Sequence, residues 1–566
     1  MTQARLATLL LAALGCAACG PRPSAGLGGG ADPYGVYPPR NFQTRHPLTR
    51  AERSNFTETS THADVMAFID TLKSTGKTVY VTSMGTTSQG RDIPLVVMSR
   101  PLVRTPAEAQ RLNRPIVYIQ GNIHGGEVEG KEALLALLRD LDQDGYQNVL
   151  DSLVIVAAPI YNGDGNDAMG PQETNRSEQN GPAIVGQRAN GMGLDLNRDY
   201  IKAEAPETQA ALDFFRAWDP DVFIDLHTTD GSYHGYALTW APPLNPAARF
   251  SGAYTRDTIL PLIRGWLHLN RRVETFPYGN FISQDSAAKG WYTYDHRPRF
   301  GTNYYGLRGR MAILAEAYSH DPFRRRIATM YTFLLSTLST LASNWEDVVE
   351  VGDEADRRTT GFVSGPSRGP RIAIRSEITR SPRTDDVLVA ETVRTGDTIR
   401  YEAGMPRGVR PTGELRRVKM PVYDRFDTVL DQALPYAWII APDQASLLPL
   451  LRRHGIVIEQ LSERAVVRAE SFVIDSVVRS SRPFQGHQEV RLEGSWQPSD
   501  AVALDSGTYV IRAAQPLAIL ALYLLDPRSD DGLETWNFTD AWVRPGGRFP
   551  VVRALDVIPA PLHPAR

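Results

Sequence analysis

The sequence predicts an α/β fold, a mixed, mostly parallel sheet flanked by helices, followed by a smaller β-rich C-terminal domain. Three observations lead there. From about residue 60 to about residue 345, segments with helical apolar spacing alternate with short continuous apolar runs, as expected of strands covered on both faces by crossover helices. After about residue 350 the texture changes to short β-branched segments, DVLVAETV, ESFVIDSVV, HQEVRLEG and GTYVIRAA, set apart by Gly, Pro and Asp turns. A 42% hydrophobic fraction and a net charge of −3 over 566 residues describe an ordinary folded chain, long enough for more than one core.

Taken in order, the first element reads as an export signal over residues 1–19. Arg5 supplies a short positive region and Leu6 to Leu14 an apolar run too short to span a bilayer. Both cysteines, Cys16 and Cys19, fall just past it in ALGCAACG, so the folded body is expected to contain no disulfide. This placement resembles a bacterial lipoprotein signal, in which a cysteine after small residues is lipidated; the alternative is cleavage at a small-residue site. The protein is therefore expected outside the cytoplasm, as a membrane-anchored lipoprotein, a periplasmic protein or a secreted one. Residues 20–55, rich in Gly, Pro and Ser at their start, read as a flexible linker.

The α/β domain is expected over residues 56–345. It opens with a helix over THADVMAFIDTLKSTG, capped by Ser60 or Thr61, with Val65, Phe68, Ile69 and Leu72 on one face and Gly76 as its stop. Extended runs at Thr78 to Thr82 and Ile93 to Met98 precede the buried strands PIVYIQG, SLVIVAAPI, DVFIDLH and MAILAEA. Helices are expected near Lys131 to Asp140, Pro206 to Trp218 and Phe323 to Ala342. The β-rich domain, residues 350–566, has one helical stretch at Asp443 to His454, in which Pro449 is awkward. It carries no assignable chemistry.

Charge narrows the function. With 61 basic against 64 acidic residues and no basic tract interleaved with aromatics, nucleic acid is not an expected partner. What the α/β half does contain is a set of metal-binding residue types. His124 and Glu127 sit three apart in a Gly-rich turn after a strand, a spacing that lets an imidazole and a carboxylate converge as two of the three ligands of a catalytic zinc site. His227 ends the apolar run DVFIDLH, at the carboxyl end of a strand where open α/β sheets keep their sites, and suits the third ligand. Glu316 in MAILAEAYSH is a carboxylate on an apolar strand, costly to ionise unless metal, water or a donor offsets it, and so a candidate general base. An ion pair with Arg308 or Arg310 is the alternative. Asn197 and Arg198 in GLDLNRDY suit bidentate capture of a carboxylate.

In this combination and order, HGGE, GLDLNRDY, DLHTTDG and LAEAYSH resemble the motifs of the zinc carboxypeptidase, or metallocarboxypeptidase, family over roughly residues 60–345. The resemblance implies a carboxypeptidase-like fold and one Zn2+ per chain held by His124, Glu127 and His227. It implies that Glu316 activates water, that Asn197 and Arg198 hold the terminal carboxylate of a peptide substrate, and that Asp195 orients His124. An arginine polarising the scissile carbonyl is implied upstream of the Asn-Arg pair, Arg188 being favoured over Arg176. A substrate-capping tyrosine is implied among Tyr292, Tyr294, Tyr304 and Tyr305, with Tyr294 favoured by its separation from Glu316.

The expected activity is removal of C-terminal residues from peptides. The alternatives are a cell-wall peptide hydrolase or a deacylase of amino-acid conjugates using the same metal, and a binding protein without catalysis. Two further motifs are set aside. NGDGNDAMGPQE mimics an EF-hand loop but places Asp167 where a Gly is needed, and GLGGG near residue 26 has no strand before it and no helix after.

Overall fold

The computed structural model describes residues 46–565 except 144–146, 283, 285–288, 363–369, 383, 397, 399 and 403–404. The expected export signal, with Cys16 and Cys19, and the linker up to residue 45 lie outside the described residues. The end of that linker is folded: Thr49 caps a helical turn, Arg50–Arg53, in a reciprocal capping box with Glu52, and Glu52 pairs with buried Arg139 at 2.7 Å. Among the described residues no helix is long and apolar enough to cross a membrane.

An eight-stranded sheet organises the first half. Its strands are β1 (Val79–Thr86), β2 (Asp92–Met98), β3 (Ile116–Gly121), β4 (Val154–Ala158), β5 (Val222–Thr228), β6 (Leu238–Ala241), β7 (Thr275–Pro277) and β8 (Met311–Ala317). They lie in the order β1-β2-β4-β3-β5-β8-β6-β7. The central β4, β3, β5 and β8 are mutually parallel, while β1 and β2 run antiparallel at one side and β6 antiparallel to β8 at the other. The parallel strands are buried along their whole length, which explains why they read as unbroken apolar runs.

Helices follow local rules that are visible in their ends. Helix α1 (His62–Thr75) starts at Thr61, whose side chain accepts from Asp64 N while Asp64 returns the bond, and it stops at Gly76. Helix α2 (Glu129–Gln143) is buried on nearly every side and follows the turn after β3; α3 (Pro206–Trp218) places its proline in the first turn. Helices α4 (Leu260–Arg271), α5 (Phe323–Ser343) and α6 (Trp345–Gly361) complete this half.

The C-terminal region is β-rich as expected. Strands β9 (Arg371–Thr379) and β12 (Arg425–Ala433) pair with one another, and β10 (Thr384–Arg394) pairs with β11 (Val409–Tyr423). A seven-stranded antiparallel sheet holds β13 (Ala437–Ile440), β14 (Glu459–Leu461), β15 (Ala465–Arg479), β16 (Val490–Leu504), β17 (Tyr509–Arg512), β18 (Arg548–Ala554) and β19 (Leu562–Pro564). Helix α7 (Leu448–Arg453) accepts Pro449 because it falls in the first turn, where the missing N–H is not needed. A second helix of this region, α8 (Ala518–Leu525), is apolar and wholly buried.

One apolar core runs through both regions. Tyr118, Phe215, Tyr304 and Tyr305 of the α/β half share it with Trp438, Leu451, Leu520 and Trp536. Buried His454 ties the two: its Nδ1 accepts from Tyr304 Oη–H at 2.9 Å and its Nε2 donates to Ile201 O at 3.1 Å. Both ring nitrogens are used by the neutral tautomer. Burial, reinforced by Arg308 and Arg453, pushes this imidazole down to about 3. Its folded value lies below the unfolded value of roughly 6.5, so its contribution to stability is present above that pH and declines as pH falls toward 3. Moving from pH 7 to pH 5 should therefore cost about 2 kcal/mol through this group alone. Urea titrations at the two pH values, on the native protein and on His454→Gln, check it; an equal pH loss in both would refute the assignment.

Candidate metal centre

The site lies where the sheet topology reverses. The chain leaves β3 toward β4 on one side, whereas β5 leads toward β8 on the other, and this switch opens a crevice at the carboxyl ends of the strands. His124 and Glu127 occupy the turn directly after β3, closed by Glu127 N donating to His124 O at 3.0 Å. His227 sits near the end of β5, and Glu316 lies beside it in the parallel register of β8.

The turn needs its glycines for close approach rather than for an unusual backbone angle. A Cβ on Gly125 would stand 2.2 Å from Gly165 C, and one on Gly126 would stand 2.6 Å from Gly186 O. These contacts pack the turn against the loop 163–186.

His124, Glu127 and His227 are all buried, and one ligand atom from each lies within 4.8 Å of the others. Glu127 is central: Oε1 is 2.8 Å from His124 Nδ1 and Oε2 is 3.0 Å from His227 Nδ1. Each imidazole turns its other nitrogen to a second carboxylate. His124 Nε2 is 3.1 Å from Asp195 Oδ1, and His227 Nε2 is 2.9 Å from Asp225 Oδ2. Such outer carboxylates orient metal-binding histidines and raise their basicity. Asp225 was not anticipated, although a residue two before His227 on a strand must share its face. Gln120 Nε2 steadies it, donating to Asp225 Oδ1 at 3.2 Å.

The electrostatics agree with a cation site. Burial alone would raise Glu127, yet His124, Arg176 and hydrogen bonds from both histidines hold its carboxyl well below the usual range. Burial likewise disfavours charge on His227, but Asp225 and Glu127 push the imidazole well up. Burial pushes the Glu316 carboxyl well above the ordinary value, opposed by His227 and helped by Glu127 and Asp230. Its Oε2 is buried with no hydrogen-bond partner among the described residues, an orphan that a metal-associated water would satisfy. Neither alternative arginine reaches it: Arg308 bonds His454 O and Arg310 bonds Asp219 and Asp356. The trio and this orphan together fit a three-ligand zinc site with an open position.

The loop that carries GLDLNRDY wraps the other side. Asp195 caps a single 3-10 turn, Leu196–Arg198, by accepting from Asn197 N at 2.9 Å. Its carboxylate also accepts from Arg188 Nε at 2.9 Å, and His124, Arg188 and Arg198 hold it well below its ordinary value against the cost of burial. Asn197 Oδ1 accepts from Gly301 N at 2.9 Å, and its amide NH2 has no partner among the described residues. The Arg198 guanidinium lies over the Phe300 ring at 3.8 Å and is pulled below its usual value, because burial outweighs Asp195. Its Nη1 donates to Asn197 O at 2.8 Å and approaches Asp195 Oδ2 only to 3.9 Å.

Both upstream arginines are present. Arg176 is buried, with Nη1 3.1 Å from Glu127 Oε1 and Nε 2.9 Å from Glu178 Oε1. Arg188 approaches the same Glu127 oxygen only to 3.5 Å and keeps 38% of its side chain exposed. The four tyrosines separate cleanly. Tyr292 stacks on Tyr423 at 4.1 Å, Tyr304 binds His454, and Tyr305 donates to Pro220 O. Tyr294 packs edge-on against Phe300 at 5.2 Å, its hydroxyl 2.8 Å from Thr302 Oγ1. Asp230 and Tyr278, also not anticipated, bond to each other at 3.1 Å at the edge of this cleft.

The loop resembling an EF-hand holds no cation site. Asp164 accepts from Thr87, Ser88, Gln89 and Arg91, and Asn166 Oδ1 accepts from Lys131.

Residues 65–245 match the family model described as zinc carboxypeptidase. Carboxypeptidase 2 of Trichophyton tonsurans is 22% identical over 492 residues, 82% of this chain and 81% of that protein. A match of that length extends into the β-rich region. Carboxypeptidase D of Mus musculus is 25% identical over 203 residues, 31% of this chain and 14% of that protein. Among solved structures, the metallo-carboxypeptidase from Burkholderia cenocepacia aligns with a TM-score of 0.36 at 18% identity, over 50% of this chain and 69% of that one.

Proposed function

The chain belongs, through its α/β region, to the zinc carboxypeptidase family, and from that premise we propose that it is an exported zinc metallopeptidase that removes C-terminal residues from peptides. The observation that carries this is the convergence of His124, Glu127 and His227, with the unpartnered Glu316 Oε2 in register beside His227. Zinc held by those three side chains would polarise the scissile carbonyl and lower the pKa of a water toward about 7.

The remaining work belongs to the protein. Glu316 accepts the proton of the attacking water at Oε2 and returns it to the leaving amine, a single carboxylate serving as base and then acid. Asn197, through its amide NH2, and Arg198, through its fork, grip the substrate's terminal carboxylate; the loose 3.9 Å approach of Asp195 leaves the Arg198 guanidinium able to take a second, anionic partner. Arg188 stabilises the oxyanion. Its exposure toward solvent supports it over Arg176, which is spent on Glu127 and Glu178. Tyr294, edge-on against the ring that supports Arg198, covers the bound residue. Asp195 and Asp225 orient the two histidines.

Purified protein, assayed for zinc and incubated with peptides bearing free or amidated C-termini and with muropeptides, tests the reading. Stepwise release of C-terminal residues from free-acid peptides only is the expected result. Cleavage confined to muropeptides would replace it by a cell-wall hydrolase, and a protein isolated without zinc and inert on all substrates would overturn it.

A further inference from the structure

The hairpin of β15 and β16 ends in a tight turn, Phe484 to His487, closed by backbone bonds in both directions. Gln485 has a φ of +50° and Gly486 of +81°, the pair of left-handed residues that a two-residue hairpin turn requires. The tip is anchored on the α/β half. His487 Nε2 is 2.8 Å from Glu204 Oε1, and its ring meets buried Trp536 edge-on at 5.5 Å. The Arg299 guanidinium lies 4.4 Å from the same Trp536 ring and 5.8 Å from that of Phe484. Held in this way, Gln485 accepts from the backbone N–H of Asp195 through Oε1 at 3.0 Å.

Asp195 is the residue on which His124, Arg188 and the Asn197 turn converge, so the hairpin reaches the loop that frames the cleft. Since Oε1 is fixed by an N–H, the other end of the amide must be the donor, and its NH2 has no partner among the described residues. The neighbouring Asn197 NH2 is equally unspent. We propose that Gln485 is a substrate-binding residue, its NH2 donating to the substrate's terminal carboxylate together with Asn197 and Arg198. This rests on the carboxypeptidase reading. The C-terminal region then completes the carboxylate pocket, with a donor pre-positioned by a rigid turn.

Gln485→Glu separates this role from a merely structural one. Glutamate keeps shape and keeps an acceptor for the Asp195 N–H, but exchanges the donor for negative charge. The expected result is a KM for N-blocked dipeptides raised roughly 10- to 100-fold, kcat changed less than about threefold, and zinc content and melting temperature unchanged. Gln485→Met, which lacks both groups, should raise KM by a smaller factor. Calorimetry with N-acetyl amino acids and their amides gives a second readout: the wild type should prefer the acids and Gln485→Glu should lose that preference. Wild-type KM and preference in Gln485→Glu would overturn the proposal, as would loss of melting temperature in both variants with KM intact. A wild type that releases no C-terminal residue and binds neither probe would instead sink the carboxypeptidase reading, and this proposal with it.

Discussion

Glu316→Gln is expected to lower kcat by about 10²- to 10⁴-fold while the protein retains its zinc. The reasoning is geometric. Glu316 lies beside His227 in the sheet register, but it is absent from the trio whose atoms converge on one point, so removing its charge takes away a base and not a ligand. Nor should the substitution harm the fold. Oε2 has no hydrogen-bond partner among the described residues, so an amide of the same shape breaks no bond there and carries no charge to desolvate. The measurement is zinc by elemental analysis alongside single-turnover hydrolysis. Near-native turnover with zinc bound would remove Glu316 from the mechanism; loss of both zinc and activity would make it a ligand.

A chain ending at residue 360 is expected to be insoluble or unfolded, with no cooperative melting transition. Cutting there strips one side from a core that Phe215, Tyr304 and Tyr305 share with Trp438, Leu451 and Leu520, and exposes an apolar face of the kind that drives aggregation. Polar losses add to it. Tyr304 loses His454, and Arg299, which is held by Asp531 at 2.8 Å and Glu489 at 2.5 Å and lies against the Trp536 and Phe484 rings, loses both carboxylates and both rings that fix its position. Arg299 precedes Phe300 and Gly301, which support Arg198 and Asn197, so damage here should reach the carboxylate site. Soluble yield and circular dichroism of the truncated chain decide the matter. A soluble, cooperatively folded fragment would show that the β-rich region is dispensable to the fold.

Much of the site was legible in the sequence because metal chemistry restricts it. A zinc trio needs particular residue types, and strand ends advertise themselves: His227 and Glu316 each close an apolar run, and His124 and Glu127 share one turn. Asp225 is legible too, through the strand period: two residues before His227, it shares that face of β5. Spacing alone favours Tyr294 among the four tyrosines, and the contacts of Tyr292, Tyr304 and Tyr305 with Tyr423, His454 and Pro220 depend on the fold.

By itself the sequence determined the layered α/β arrangement, the β-rich continuation, the ends of helix α1 and the residues of the candidate metal-binding trio, since each rests on local periodicity, capping or residue chemistry. Tertiary structure alone decided why Gly125 and Gly126 are glycines, which arginine is buried against Glu127, how His454 stays neutral, and that Gln485 lies against Asp195. These depend on pairs far apart along the chain, and Gln485 is 290 positions from its partner. Contacts of that kind leave no local pattern, because burial and hydrogen bonding act between surfaces that only the completed fold brings together.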